Sequence, residues 1–133
     1  MPNRVIHFEI HAQDTAKSAD FYRKVFGWEI KSWDNPLVNY WSITTGPEGN
    51  SAEPGINGGI VARESSVPPK TEPSTTFVIN VSSVDEYIKK IIAAGGRNVV
   101  KKMAIHGMAW LAYCTDIEGN VFGLYEADPK AQN

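Results

Sequence analysis

The chain has 133 residues, of which 42% are hydrophobic and 21% are charged, a composition ordinary for a globular protein with one core. Its net charge of −2 gives no electrostatic reason to expect nucleic acid or an anionic membrane as a partner. No apolar run reaches membrane-spanning length and the N-terminus lacks a signal-peptide core, so the cytoplasm is the expected location. A single cysteine excludes an intramolecular disulfide and a cysteine metal cluster.

Residues 5–11 predict a strand with two chemically different faces. Successive side chains of a strand point to opposite faces, and residues i and i+2 lie roughly 6.6–6.8 Å apart. The apolar residues therefore share one face: Ile6, Phe8 and Ile10. The titratable residues share the other: His7, Glu9 and His11. Three groups capable of acid–base or ligand chemistry are thus expected in a row on one side of a strand whose back is buried.

A helix is predicted after this strand, because the apolar residues of 14–28 recur at helical spacing. Asp14 or Thr15 can cap its start, and Gly27 can end it. Three further strands are predicted at 28–30, 37–45 and 57–61, with a Gly- and Pro-rich loop at 46–55.

The same order of elements then repeats. The second helix is predicted from a capping box, in which Glu86 follows Ser83 by three residues, to the Gly95-Gly96 pair. The second set of strands is predicted at these positions: 75–81, 98–105, 108–115 and 121–126. The predicted division of the chain is module 1 at 4–64, a proline-rich linker at 65–73, module 2 at 74–127 and a polar tail at 128–133.

An internal repeat is a stronger fold signal than any single motif. The two copies align His7 with Thr76, and Gly59 with Gly123. The expected fold is therefore α+β: two tandem βαβββ modules whose curved mixed sheets lie side by side around a shared cavity. His7, Glu9 and His11 are expected to face that cavity.

Short motifs in this order resemble the vicinal oxygen chelate superfamily, which includes glyoxalase I, bleomycin resistance proteins and extradiol dioxygenases. The resemblance rests on His7 followed by Asp14 and on four segments: 18–22, 25–28, 56–59 and 116–124. It is closest to a glyoxalase-like branch related to lactoylglutathione lyase. It implies the paired-module fold and metal-assisted chemistry on a small molecule, in which His and Glu side chains hold one divalent ion.

The metal ligands implied by the resemblance are largely missing. His7 matches the first ligand, but the other three positions fall on Gly59, Thr76 and Gly123. Glycine has no coordinating side chain, and threonine is a poor ligand beside histidine or carboxylate. We therefore expect no metal cofactor. A displaced divalent ion held through His7, with Glu9 and His11 on the same face, stays open as the alternative.

Without a metal, His7 and Glu9 are the candidate catalytic residues, because an imidazole and a carboxylate in a dry cavity can form an acid–base pair. The competing interpretation is that they hydrogen-bond and only shape the cavity. The candidate substrate-binding residues lie on strands predicted to line the cavity: His11, Tyr40, Trp41, Gly59, Thr76, Trp110, Gly123 and Tyr125. Alternation allows about half of the aromatic residues to point inward.

Three functions remain open from the sequence. The first is a glyoxalase-like enzyme of the lyase or isomerase type that acts on a small molecule. The second is a metal-free protein that binds or sequesters a small molecule, as bleomycin resistance proteins do. The third is a structural or regulatory protein whose cavity has filled with side chains. By analogy with the superfamily, a homodimer is expected.

Overall fold

A computed structural model describes residues 3–33, 39–47, 54–62 and 75–133. The predicted linker, 65–73, and most of the predicted loop at 46–55 lie outside the described residues. The described residues form eight strands and two helices, in the order β1 (Val5–Ala12), α1 (Thr15–Phe26), β2 (Glu29–Ser32), β3 (Tyr40–Thr44), β4 (Asn57–Ala62), β5 (Thr75–Asn80), α2 (Val84–Ala93), β6 (Arg97–Ile105), β7 (Ala109–Thr115) and β8 (Val121–Ala127).

Both helices begin at residues whose side chains cap them. The Asp14 carboxylate accepts the backbone N–H of Lys17 at 3.0 Å, and the Ser83 hydroxyl accepts that of Glu86 at 3.2 Å. These bonds satisfy amide groups that have no partner inside the helix. Gly27 ends α1 at a φ of 72°, a left-handed conformation that glycine adopts without steric cost. In the part of the chain that the structure describes, neither helix is long and apolar enough to cross a membrane.

The eight strands form one sheet in the order β2-β3-β4-β1-β5-β8-β7-β6. In each half, the first strand pairs in parallel with the last: β1 with β4, and β5 with β8. The halves join where β1 runs antiparallel to β5, with Phe8 opposite Phe77. The predicted α+β fold of two βαβββ units is confirmed, and the two four-stranded sheets meet edge to edge as one.

Residues that align between the two halves of the sequence have corresponding partners in the sheet. Glu9 of β1 pairs with Gly59 of β4, and Val78 of β5 pairs with Gly123 of β8. The glycines therefore occupy matching positions on either side of the β1–β5 junction. This is the alignment that the internal repeat predicts.

Both helices pack on the same face of the sheet, each over its own half. The first cluster under α1 contains Ala12, Ala19, Ile30, Ile43 and Ile60, with Phe8 and Ile10 of β1 against it. The second, under α2, contains Val81, Val84, Ala112, Cys114 and Leu124. Phe8 and Ile10 thus face the helices as predicted, whereas Ile6 is 39% exposed, near a register shift at the start of β1. We call the opposite face of the sheet, which carries His7, Glu9 and His11, the inner face.

Candidate functional site

Glu9 lies at the centre of the inner face, on the strand where the two halves meet. It is only 5% exposed. The Tyr113 hydroxyl donates a hydrogen bond of 2.6 Å to Glu9 Oε1, and His11 Nε2 lies 3.7 Å from the same oxygen. A hydroxyl–carboxylate bond this short is typical of charge-assisted hydrogen bonds. A buried carboxylate with a fixed donor is therefore the core of the candidate site.

Tyr113 remains a hydrogen-bond donor over the physiological range. Burial raises the pKa of its phenol, and the neighbouring Glu9 charge and the hydrogen bond to it raise it further. Tyr113 stands on β7 opposite Gly123 of β8, 104 residues from Glu9 in sequence. No sequence pattern connects the two, because their contact depends on how β1, β5, β8 and β7 are ordered in the sheet.

His7 and Tyr40 form a second polar pair beside Glu9, with the Tyr40 hydroxyl 3.2 Å from His7 Nε2. Burial lowers the pKa of His7, an effect that the nearby Glu9 charge partly opposes. Burial, together with the Glu9 charge, raises the pKa of Tyr40 to about 12. Both members of the pair are therefore neutral near pH 7, and each can donate or accept one hydrogen bond.

The pKa of His7 predicts a pH dependence of stability. In the unfolded chain the imidazole takes up a proton near pH 6.5, whereas the folded protein takes it up only at lower pH. Between these two values the unfolded chain binds more protons, so the free energy of unfolding should rise with pH and stop depending on His7 above that window.

Urea denaturation at several pH values from about 5 to about 8 measures this slope. His7→Gln should flatten it, and His106→Gln, at an exposed turn position, should leave it unchanged. A slope that is the same in His7→Gln and the wild type would contradict a half-buried imidazole with a lowered pKa.

The three other positions of the superfamily's metal site do not suit an ion. A side chain at Gly59 would begin inside the ring and hydroxyl of Tyr40. The Thr76 hydroxyl donates to the backbone carbonyl of Val121. A Cβ at Gly123 would lie 3.1 Å from Val78 and 3.3 Å from the Tyr113 ring. The donors of this chain therefore do not fit the four-ligand site.

A displaced ion gains no support from the geometry either. Within the described ranges, no group of three or more His, Cys, Asp or Glu residues is arranged to hold a metal ion. His7 is occupied by Tyr40, while Glu9 contacts Tyr113 and His11. Gly59, a candidate substrate-binding residue, lies beneath Tyr40.

The remaining candidates divide between the two faces of the sheet. Trp41 packs against the α1 cluster and donates to the Thr15 hydroxyl, and Trp110 packs against the α2 cluster and donates to Asp128. Both tryptophans thus lie on the helix side, away from Glu9. Tyr125 is two residues from Gly123 on β8 and shares its inner face.

Comparisons with known proteins agree with this fold. A family model for bleomycin resistance protein-like N-terminal regions matches residues 4–46. A hypothetical protein from Bacillus halodurans C-125 superposes with a TM-score of 0.67 at 15% identity, over 100% of both chains. A glyoxalase/bleomycin resistance protein/dioxygenase superfamily member from Vibrio splendidus 12B01 gives 0.60 at 15%, over 94% of this chain and 99% of that one.

A third solved structure is methylmalonyl-CoA epimerase from Streptomyces coelicolor in complex with 2-nitronate-propionyl-CoA. It superposes with a TM-score of 0.67 at 16% identity, over 100% of both chains. No curated protein matches the sequence. The resemblance to the glyoxalase/bleomycin resistance/dioxygenase superfamily is confirmed, while identities this low show the fold alone.

Proposed function

We propose that this chain, which has the glyoxalase/bleomycin resistance/dioxygenase fold, is a small-molecule enzyme of the lyase or isomerase type that moves a proton without the superfamily's four-ligand metal site. The observation that carries this proposal is the buried Glu9 carboxylate, whose Oε1 accepts a hydrogen bond from Tyr113 and lies 3.7 Å from His11 Nε2. In the described part of the chain both of these contacts use Oε1. Oε2 is therefore the oxygen assigned to take up a proton.

The reaction that suits this arrangement is removal of a proton from a carbon next to a carbonyl group. Glu9 takes the proton, the electron pair of the broken C–H bond forms a carbon–carbon double bond, and the π pair of the carbonyl group moves onto its oxygen. Return of a proton to the opposite side of the same carbon re-forms the carbonyl group and gives the epimer. Where that carbon carries a hydroxyl group, transfer of the hydroxyl proton to the former carbonyl oxygen and return of a proton to the former carbonyl carbon give the isomer. A buried carboxylate fixed by a hydrogen bond supports such a step, since general acid–base catalysis needs a positioned group within hydrogen-bond reach. The epimerase among the solved structures supports the substrate class by analogy of fold.

Exchange of solvent deuterium into carbonyl compounds tests the proposal directly. We expect the wild-type protein, treated with a chelator, to exchange the hydrogen next to the carbonyl of at least one compound in a panel of thioesters, ketones and hydroxyketones. Glu9→Gln should lower the rate by about 100-fold or more, the usual contribution of a general base. Glu118→Gln, a matched change in an exposed turn, should retain the wild-type rate.

Glu9→Gln exchanging as fast as the wild type would contradict the assignment of Glu9 as the base. Activity that disappears with the chelator and returns with a divalent ion would contradict the metal-free mechanism.

A binding or sequestering protein is the second candidate, favoured by the match of residues 4–46 to the bleomycin resistance protein-like model. Binding needs only a cavity of suitable shape and polarity, and no proton transfer. A thermal-shift screen against metabolites and planar drugs detects it, because a ligand that binds only the folded state raises Tm. A ligand held equally well by wild type and Glu9→Gln, without turnover, would favour this candidate over the enzyme.

A homodimer in the cytoplasm is part of the proposal. The exposed apolar side chains of α1 support an interface there: Phe21, Val25 and Phe26 are each more than half exposed. Light scattering on the purified protein should give twice the monomer mass of 14.7 kDa. A concentration-independent monomer would remove the dimer from the proposal.

A further inference from the structure

The Tyr40 hydroxyl occupies the place from which a metal-ligating side chain would extend in the first half of the fold. A Cβ at Gly59 would collide with both the ring and the hydroxyl of Tyr40. Gly59 pairs with Glu9 on the neighbouring strand, and neighbouring strands lie about 4.8 Å apart. The Tyr40 phenol therefore lies beside β1, the strand that carries Glu9. It covers the backbone at position 59, where only glycine leaves room for it.

We propose that Tyr40, supported by His7, donates the hydrogen bond that holds the carbonyl oxygen of a ligand, at the place where relatives would use a metal ion. This inference rests on the proposed function, because it assigns the partner of the oxygen whose neighbouring carbon loses a proton to Glu9. Tyr40 is half-buried, whereas Tyr113 is buried and already bonded to Glu9, so Tyr40 is the better candidate of the two to meet a ligand.

The direction of the His7–Tyr40 hydrogen bond decides whether the Tyr40 proton is available. Neutral imidazole carries one proton, on either Nδ1 or Nε2. With the proton on Nε2, His7 donates to the Tyr40 oxygen, and the Tyr40 proton is free for the ligand. With the proton on Nδ1, Nε2 accepts the Tyr40 proton and none is left. The proposal therefore requires the Nε2–H form of His7.

The same geometry indicates the class of ligand. Tyr40 stays protonated and offers a donor, while Glu9 offers acceptor oxygens and a negative charge. A ligand that satisfies both has a carbonyl oxygen that faces Tyr40 and, on the atom bonded to the carbonyl carbon, an acidic hydrogen that faces Glu9. A neutral carbonyl compound fits this description. A ligand with a negative charge next to Glu9 would bind more weakly, because two like charges repel each other more strongly in a buried site than in water.

Two measurements on the intact protein test the inference. Long-range ¹H–¹⁵N spectra report which His7 nitrogen carries the proton near pH 7, and we expect Nε2. Calorimetric titration then uses acetohydroxamic acid, a small neutral probe with a carbonyl oxygen and an adjacent acidic hydrogen. Tyr40→Phe removes only the hydroxyl, and we expect it to weaken the affinity for this probe about five-fold, the usual worth of one hydrogen bond.

Tyr22→Phe is the matched control, because Tyr22 lies in the aromatic stack of α1 on the helix side. It should bind the probe as the wild type does. Each of three results would overturn the inference: a proton on Nδ1 of His7, no binding of the probe by the wild type, or equal affinity in Tyr40→Phe. If Glu9→Gln abolishes deuterium exchange while Tyr40→Phe retains both exchange and affinity, the inference fails and the proposed function stands.

Discussion

Replacing Gly58 by alanine should destabilise the fold by about 3 kcal/mol or more, the upper part of the range for overpacked positions. The added Cβ would collide with the backbone carbonyl oxygen of Phe8 and with both edges of its ring. Phe8 is the parallel partner of Gly58 at the β1–β4 contact, so relief requires the two strands to separate. Urea denaturation measures the change as a lower midpoint at an unchanged m-value.

Gly59→Ala is the informative comparison, since the atoms nearest to its Cβ would belong to a side chain, that of Tyr40. We expect a smaller loss of about 1–2 kcal/mol, because the far end of a side chain can move where a backbone cannot. In a Tyr40→Ala background the cost of Gly59→Ala should largely disappear, whereas the cost of Gly58→Ala should persist. Equal costs of Gly59→Ala in the two backgrounds would contradict the placement of Tyr40 over Gly59.

Tyr113→Phe should lower the free energy of unfolding by about 1.5–3 kcal/mol, the usual worth of a hydrogen bond to a charged group. The substitution keeps the ring and leaves the 5% exposed Glu9 carboxylate without its 2.6 Å donor. Equilibrium unfolding in urea near pH 7, where the His7 effect is absent, gives the value without interference from that group.

The same substitution in a Glu9→Gln chain is the control for the charge. A glutamine at position 9 can still accept the Tyr113 hydroxyl, but as a neutral group, so the loss should fall to about 0.5–1.5 kcal/mol. The difference between the two losses is the coupling between the charge and the hydroxyl. Identical losses in the two backgrounds would contradict a charge-assisted hydrogen bond.

Much of this fold could be predicted from local patterns. The alternation of β1 places His7, Glu9 and His11 on one face, and the caps at Asp14 and Ser83 place the starts of both helices within a residue. The internal repeat predicts that the glycines at 59 and 123 are equivalent, and the sheet register agrees. These features depend on short stretches of sequence or on comparison of one half with the other.

The partners of the site residues could not be predicted in the same way. The contact of Tyr113 with Glu9 spans 104 residues and requires the order of four strands. Tyr40 lies over Gly59 although its partner in the β3–β4 register is Val61, two residues further along β4. Aromatic content also does not reveal which face of the sheet a side chain lies on. Their aromatic rings make Trp41 and Trp110 candidate substrate-binding residues, but both pack against the helices.

The Glu9–Tyr113 hydrogen bond joins the first half of the chain to the last third, and this affects when the site forms. Contacts between residues so distant in sequence require a large loss of chain entropy, so they are expected to form late in folding. A nascent chain that ends before β7 has Glu9 without its donor. Proton transfer or ligand binding at Glu9 would then begin only after both halves have assembled. After denaturation, activity should therefore recover more slowly than helical content.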